Sequence, residues 1–141
     1  MEVIEKIGII TCSNAANDLD CCAAPCLHDF YNRAGKFKDY SKDSSLQLAG
    51  IISCPGCPTL AYPEKIMRKV HALAKYELTA IHFTFCMVAL CPFLNKYIEI
   101  IGKAYPEIKL VKGTHEEHYT YKQFRGHVKN AFDKNLKMND I

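Results

Sequence analysis

Four short apolar runs, spaced along the whole chain, constrain its fold more than any other feature. They are KIGIITC (residues 6–12), LQLAGIISC (46–54), LTAIHFTFC (78–86) and IKLVKGTH (108–115). Runs as apolar as these are typical of strands that are buried on both faces of a parallel sheet. The sequence therefore predicts four parallel strands, three of which end in a cysteine and the fourth near a histidine.

Helical patterns lie between and after these strands. Their apolar stripes are formed by Ile66, Val70, Leu73 and Ala74, then by Phe93, Leu94, Tyr97, Ile98 and Ile101, and finally by Tyr121, Phe124, Val128, Ala131 and Phe132. Pro63 and Pro92 stand where the first turns of two of these helices should begin. Residues 27–41 predict a weaker helix that is interrupted at Gly35.

The alternation of strands and helices defines the predicted fold class. It indicates right-handed crossovers and therefore a single doubly wound, mostly parallel α/β sheet with helices on both faces. We predict the strand order 2-1-3-4, as in a Rossmann or flavodoxin-like sheet. The length of 141 residues fits a single domain spanning residues 1–141, and it suffices to bury a core without disulfide bonds.

Composition excludes several classes of function. No apolar run reaches the ~18 residues of a membrane span, and the charged, short N-terminal segment indicates a first strand rather than a signal peptide. The net charge of +3 is spread along the chain, and the basic segment 129–137 is typical of a solvated helix face. We therefore expect a cytoplasmic protein with no membrane or nucleic-acid partner. Its protein partners and oligomeric state are left open.

The chain has eight cysteines, and their chemical role depends on the expected cytoplasmic compartment. Cytosolic thiols stay reduced, so their spacing indicates metal binding or catalysis rather than a disulfide framework. In open parallel sheets, ligands bind outside the carboxyl ends of the strands, where the strand order reverses. Cys12 and Cys86 would flank that point on strands ~4.8 Å apart, with Cys54 one strand further along. His115 follows the fourth strand.

Loop positions add further candidate ligands. Cys57 follows Cys54 with C-x-x-C spacing, across a turn that Gly56 permits. Cys91 precedes Pro92, so it is predicted at a helix N-terminus, where positive partial charge lowers a thiol pKa. Cys26, which follows Pro25, would begin the first helix in the same way.

The segment from residue 13 to residue 26 has no helical or strand period, and we predict an irregular functional loop there. It contains Cys21 and Cys22, whose roles are left open. A different interpretation treats each buried cysteine as a small hydrophobic residue. His82, inside the third strand, is expected to be a hydrogen-bonded core histidine rather than a ligand.

At this point the residues show a family resemblance. The stretches GIITC, RAGKFKDY, LQLAGIISCPGCP, IHFTFCMVALCPF and VKGTH, in this order, resemble the CGGC-domain family, small cysteine-rich proteins for which metal binding, often of zinc, has been suggested. The resemblance covers most of the chain. It implies metal ligands among Cys12, Cys54, Cys57, Cys86, Cys91 and His115. The chain departs from the family motif at Pro55, which replaces its first glycine.

The leading hypothesis is a metal-binding protein with a cysteine-rich site at the strand ends. Zinc takes about four ligands, which Cys12, Cys54, Cys57 and Cys86 would supply, or which Cys86, Cys91 and His115 would share. Zinc is favoured over an iron–sulfur cluster, for which eight cysteines leave room.

The alternative hypothesis is an enzyme, either a thiol–disulfide oxidoreductase or a sulfur- or metalloid-handling enzyme, that uses the Cys54/Cys57 dithiol. The sequence assigns no catalytic residues and does not decide whether the protein is an enzyme.

Overall fold

The computed structural model describes residues 3–57 and 62–133, and its centre is one four-stranded parallel sheet. The strands are β1 (Val3–Thr11), β2 (Ser44–Ser53), β3 (Ala80–Phe83) and β4 (Lys109–Lys112). Their order is β2-β1-β3-β4, and all three neighbouring pairs are parallel. The predicted fold class and strand order are therefore confirmed, including the parallel pairing of β3 with β4.

Helices connect the strands and cover the sheet. They are α1 (Ser13–Asp18), α2 (Ala24–Asn32), α3 (Tyr62–Ala74), α4 (Phe85–Leu90), α5 (Leu94–Ala104) and α6 (Tyr121–Asp133), and a short 3-10 helix spans Gly35–Asp39. The predicted break at Gly35 is present. None of the described helices is long and apolar enough to cross a membrane.

Two hydrophobic cores hold the helices against the two faces of the sheet. On one face, Ile7 and Ile9 of β1 pack with Phe30 of α2 and Phe37 of the 3-10 helix. The other face carries the larger core, in which Ile10 and Ile81 pack with the buried stripes of α3 and α5. The stripe residues predicted for α3 and α5 are mostly buried, as their helical spacing requires. For α6, the side chains of Ala131 and Phe132 lie outside the described residues, as does the end of the basic segment 129–137.

Several predicted boundaries are wrong. Strand β3 ends at Phe83 rather than at Cys86, because Thr84 caps a new helix by accepting the Met87 N–H over 3.4 Å. The segment after β1 is not irregular throughout, since α1 begins directly after Cys12 and buries Ala15. The predicted helix start at Pro92 is also wrong, because α5 begins at Leu94.

His82 is the buried core histidine that the sequence predicts. Its side chain is 0% exposed and lies against the ring of Phe37, with the ring centroids 4.5 Å apart. The hydroxyl of Tyr40 lies 2.7 Å from Nε2, and Nδ1 lies 2.9 Å from the carbonyl oxygen of Gly113. Burial lowers the pKa of His82 from 6.5 to about 4, which outweighs the hydrogen bond to the carbonyl. The side chain is therefore neutral in the folded protein at neutral pH.

This lowered pKa predicts a specific loss of stability in acid. The unfolded chain binds a proton at His82 below about pH 6.5, whereas the folded chain does so only below about pH 4. The contribution of His82 to the free energy of unfolding is therefore at its maximum above pH 6.5, and it falls as the pH drops toward 4. We expect the free energy of unfolding to fall by roughly 2 kcal/mol between pH 8 and pH 5.

Urea unfolding of the wild type and of His82→Gln at these two pH values checks the expectation. The variant should be less stable at pH 8 and should lack the acid-dependent loss, because glutamine does not titrate. The control His71→Gln, which changes an exposed histidine of α3, should keep it. Equal acid slopes in the wild type and in His82→Gln would contradict the prediction.

Candidate functional site

A cavity of about 230 Å³ lies at the carboxyl ends of β1 and β2 and at the start of α4. Thr11, Ser53 and Thr84 contribute to its wall at the ends of three neighbouring strands. Five of the eight cysteines also line it: Cys12, Cys21, Cys22, Cys26 and Cys86. This is the edge of the sheet at which parallel α/β folds bind ligands. We refer to the residues of this cavity together with Cys54 as the thiol edge.

Cys12 and Cys54 form a hydrogen-bonded thiol pair at this edge. Thr11 and Ser53 are register partners in the β1–β2 ladder, so the next residue of each strand meets its neighbour. The hydrogen bond between the two side chains lowers the pKa of Cys54 and, together with burial, raises that of Cys12. Ser13 adds its backbone N–H at 3.5 Å and its hydroxyl at 3.4 Å from the Cys54 sulfur. These donors favour a thiolate at Cys54, with Cys12 as the protonated partner.

Cys86 joins this pair from the first turn of α4. Its sulfur accepts the backbone N–H of Cys12, and the hydroxyl of Thr84 lies 3.1 Å from it. Burial nevertheless raises the pKa of the Cys86 thiol above its ordinary value. A chain of hydrogen bonds therefore runs from Cys54 through Cys12 to Cys86, across three elements of the fold.

Cys57 and Cys91 follow β2 and α4. Cys57 is exposed, and for both thiols burial raises the pKa, with a smaller contribution from the charge of Cys54. The prediction of a lowered pKa for Cys91 is wrong, because burial raises it to about 11. Cys91 is the C-terminal cap of α4, and its own N–H donates to the carbonyl of Met87 over 2.8 Å. The backbone N–H groups of Phe93 and Leu94, at the start of α5, donate to its sulfur and lower the pKa, but burial outweighs them.

Cys26 lies on the other side of the cavity, in the first turn of α2. It is the third residue of that helix rather than its cap, and its sulfur is 3.0 Å from the hydroxyl of Thr114. Burial raises its pKa to about 12, despite this hydrogen bond. Cys21 and Cys22, between α1 and α2, are half-buried and exposed respectively.

His115 lies apart from the Cys12–Cys54 pair, beside a second cavity of about 180 Å³. Its ring lies 5.5 Å from that of Phe85, and its Nδ1 donates to the carbonyl of Glu116 over 2.8 Å. The second cavity and the thiol edge share three wall residues, Cys21, Cys26 and Cys86. His115 is thus closer to the Cys26 side of the site than to Cys54.

Three hydroxyl residues that the sequence interpretation missed hold the thiols in place. Ser13 contacts Cys54, Thr84 contacts Cys86, and Thr114 contacts Cys26. A signal was present, because the stretches TCS, TFC and GTH each place a serine or threonine within two residues of a strand-end cysteine or histidine. Hydroxyl groups are suitable partners for buried thiols, since they both donate and accept.

The donor set fits a thiophilic metal, although its present geometry is not closed around one ion. Within residues 3–57 and 62–133, no three Cys, His, Asp or Glu side chains stand where they could hold a metal ion together. The chemistry does fit, because several thiols line one wall and sulfur is the preferred ligand of soft metals. Ligation would therefore require the thiols to turn from their hydrogen-bond partners toward a common centre.

An open parallel sheet with thiols collected at its carboxyl edge defines a cysteine-rich α/β domain. Residues 6–115 match the CGGC domain, and the chain belongs to that family. The matched range includes most of β1, all of β2, β3 and β4, and every cysteine, whereas α6 lies beyond it. No curated protein and no solved structure shows a significant match. The family is cysteine-rich and suggests a metal-binding role, which leaves the metal and any reaction to be inferred from the site.

Proposed function

We propose that this protein binds one zinc ion through thiolates at its thiol edge. The observation that carries the proposal is the placement of Cys12, Cys54 and Cys86 at one edge of the sheet: Cys12 and Cys86 line one cavity, and Cys12 and Cys54 directly follow the paired ends of β1 and β2. These thiols come from the ends of two neighbouring strands and from the helix that follows the third. Thiols that the fold collects at one edge of its sheet are suitable for forming a closed thiolate site.

The proposed ligands are Cys12, Cys54, Cys57 and Cys86. A structural zinc site is tetrahedral and commonly takes four thiolates. Cys54 favours the thiolate form before any ion binds, whereas Cys12 and Cys86 must lose protons on binding. Cys57 is exposed and follows Gly56, whose φ of 101° favours glycine, and we assign it as the fourth ligand. When bound, zinc would link the ends of β1 and β2 to α4.

The other predicted ligands fit this set less well. Cys26 is hydrogen-bonded to Thr114 on the far side of the cavity, and His115 lies beside Phe85. The charges of Cys57 and Cys54 contribute to the raised pKa of Cys91, so Cys91 lies near both residues. It would serve as the fourth zinc ligand if Cys57 does not.

Metal analysis of protein that is expressed with zinc and iron and purified without oxygen tests the proposal. We expect one zinc per chain and a colourless protein. Iron and acid-labile sulfide in stoichiometric amounts would instead establish an iron–sulfur cluster. Protein that holds no metal, and takes up none on titration with zinc, would overturn the proposed function.

A dithiol reaction is the second candidate, and one observation favours it. Cys54 has a lowered pKa and contacts Cys12, which is how a nucleophilic thiolate and its resolving thiol are arranged. In this form, Cys54 would attack an external disulfide, and Cys12 would then displace the bound half as a thiolate. The partner of Cys54 would therefore be Cys12, across the strands, rather than Cys57. Peptide mapping of metal-free protein after reaction with oxidised glutathione would show which pair forms.

A further inference from the structure

The second cavity differs from the thiol edge in the chemistry of its wall. Besides the shared cysteines it is lined by aromatic and other apolar groups, among them Phe85, Tyr119, Phe124 and Pro25. The rings of Phe85 and Phe124 pack with their centroids 5.1 Å apart. His115 and His118 complete the wall. A concave, largely apolar space with few polar groups is typical of a site for a small organic molecule.

Its volume indicates the size of the group that it accepts. The cavity measures about 180 Å³, and an apolar protein cavity of about 150 Å³ is enough to hold benzene. We refer to this space as the aromatic cavity. A six-membered ring or a short alkyl chain would fill it without displacing the buried rings of its wall.

The position of the thiols indicates which ligand chemistry belongs beside that ring. Cys26 and Cys86, like Cys21, line both cavities, so their side chains face the same two spaces. Cys26 lies in the first turn of α2, and Cys86 lies in the first turn of α4. An electrophile that reacts with a single thiol would gain nothing from this pair. A centre that forms two bonds to sulfur would use both.

We propose that the aromatic cavity and the neighbouring thiols bind a small organic derivative of a thiophilic metalloid, such as a trivalent monoorganoarsenical. Its organic group occupies the aromatic cavity, and its arsenic bonds to the sulfurs of Cys26 and Cys86. The inference rests on the thiol edge of the proposed function and shares Cys86 with the proposed zinc ligands, but it adds Cys26 and needs no bound zinc. It requires two convergent thiols, which is fewer than a zinc site requires.

The binding reaction balances without an oxidant or reductant. In an organoarsenic oxide, the arsenic–oxygen bond breaks and two arsenic–sulfur bonds form. The two thiol protons leave with the oxide oxygen as one water molecule. Arsenic stays trivalent and sulfur keeps its oxidation state, so the step is a ligand exchange that dithiols in solution also undergo.

Competition binding of phenylarsine oxide and its methyl counterpart tests the proposal. Anaerobically reduced wild-type protein is titrated with each compound, and the adduct is identified by intact mass as one arsenical added with loss of one water. Dithiothreitol, which has no cavity, gives the intrinsic preference between the two compounds. Relative to dithiothreitol, the protein should favour the phenyl compound by about tenfold or more, because a buried ring replaces a methyl group.

Variants separate the aromatic cavity from the thiols. Tyr119→Ala should reduce the phenyl preference to about threefold or less, while Tyr119→Phe should retain it. Tyr76→Ala, which removes an exposed ring outside the cavity, is the matched control and should change nothing. Cys86→Ser and Cys26→Ser should each lose the stable adduct, whereas Cys57→Ser should keep it. Circular dichroism and urea unfolding confirm that each variant is folded.

The outcomes also separate this inference from the proposed function. A wild type that binds zinc but shows no phenyl preference over dithiothreitol overturns the inference and leaves the zinc proposal intact. A wild type that holds no zinc but shows the preference supports the inference and removes the zinc proposal. A folded Cys86→Ser variant with wild-type affinity for the phenyl compound would also overturn the inference.

Discussion

Cys54→Ala should hold less than a tenth of the zinc that the wild type holds, when both are prepared without oxygen and analysed for metal. Cys54 is the residue that receives hydrogen bonds from Cys12 and from Ser13, and it favours the thiolate form before binding. Removing it deletes a proposed ligand and leaves Cys12 without its partner. Loss of a residue that merely orients a ligand costs about 10- to 100-fold in affinity, so loss of a ligand should cost at least about 100-fold.

Cys12→Ala and Cys86→Ala should show the same loss, because they occupy the other positions of the hydrogen-bonded chain. Cys22→Ala is the matched control, since Cys22 lies in the same cavity wall but is exposed and outside the proposed set. Zinc competition with a chromophoric chelator gives the affinities. If the strand-end cysteines were only core residues, metal content would not change and each substitution would cost ~1 kcal/mol of stability. If the wild type binds zinc and these variants keep the same metal content, the zinc ion is bound at another site.

Gly35→Ala should lower the free energy of unfolding by about 4 kcal/mol, as the sum of backbone strain and overpacking. Gly35 has a φ of 56°, in the left-handed region that favours glycine. A Cβ at this position would lie 2.3 Å from the carbonyl oxygen of Thr114 and 2.8 Å from the backbone of His115. Both neighbours are backbone atoms, so no side-chain rotation relieves the contact. The chain must shift where Lys36 N–H donates to Thr114 over 2.9 Å.

Gly126→Ala provides the control for this substitution. Gly126 lies inside α6, is exposed, and has no atom within 4 Å of its added Cβ. Alanine there should stabilise the protein by about 0.5–1 kcal/mol, because glycine is unfavourable in a helix interior. Urea unfolding of both variants gives the comparison. A Gly35→Ala variant within about 1 kcal/mol of the wild type would show that the 3-10 helix and the loop after β4 are not packed as described.

The fold was predictable because its signals are patterns that extend over whole strands and helices rather than over single residues. Four apolar runs separated by amphipathic stripes indicate a parallel sheet whatever the details at their ends, and the order β2-β1-β3-β4 is one that right-handed crossovers with helices on both faces allow. The ends themselves were not predictable in the same way. From Ile81 to Leu90 the residues are apolar almost without interruption, so the change from β3 to α4 leaves no break in hydrophobicity. Only Thr84, as a capping residue, marks it.

The site was predictable in outline, since parallel topology places Cys12, Cys54 and Cys86 at one edge. Its internal pairing depends on contacts that no local pattern encodes. The proximity of the Cys12 and Cys54 thiols follows from the register of β1 with β2. The raised pKa of Cys91 follows from burial at the end of a six-residue helix. The aromatic cavity is likewise formed by α2, α4 and the loop before α6, which are distant in sequence.

The hydroxyl contacts of the thiols have a consequence for the order of assembly during synthesis. Ser13 and Cys54 are 41 positions apart, and Cys26 and Thr114 are 88 positions apart. Contacts between such distant residues form late, because the chain must first close the intervening loops. A nascent chain that ends before β4 therefore carries all eight cysteines without the partner that holds Cys26. A soft metal that reaches the chain at this stage meets Cys26 without its hydroxyl partner, so we expect selective loading to require the completed fold.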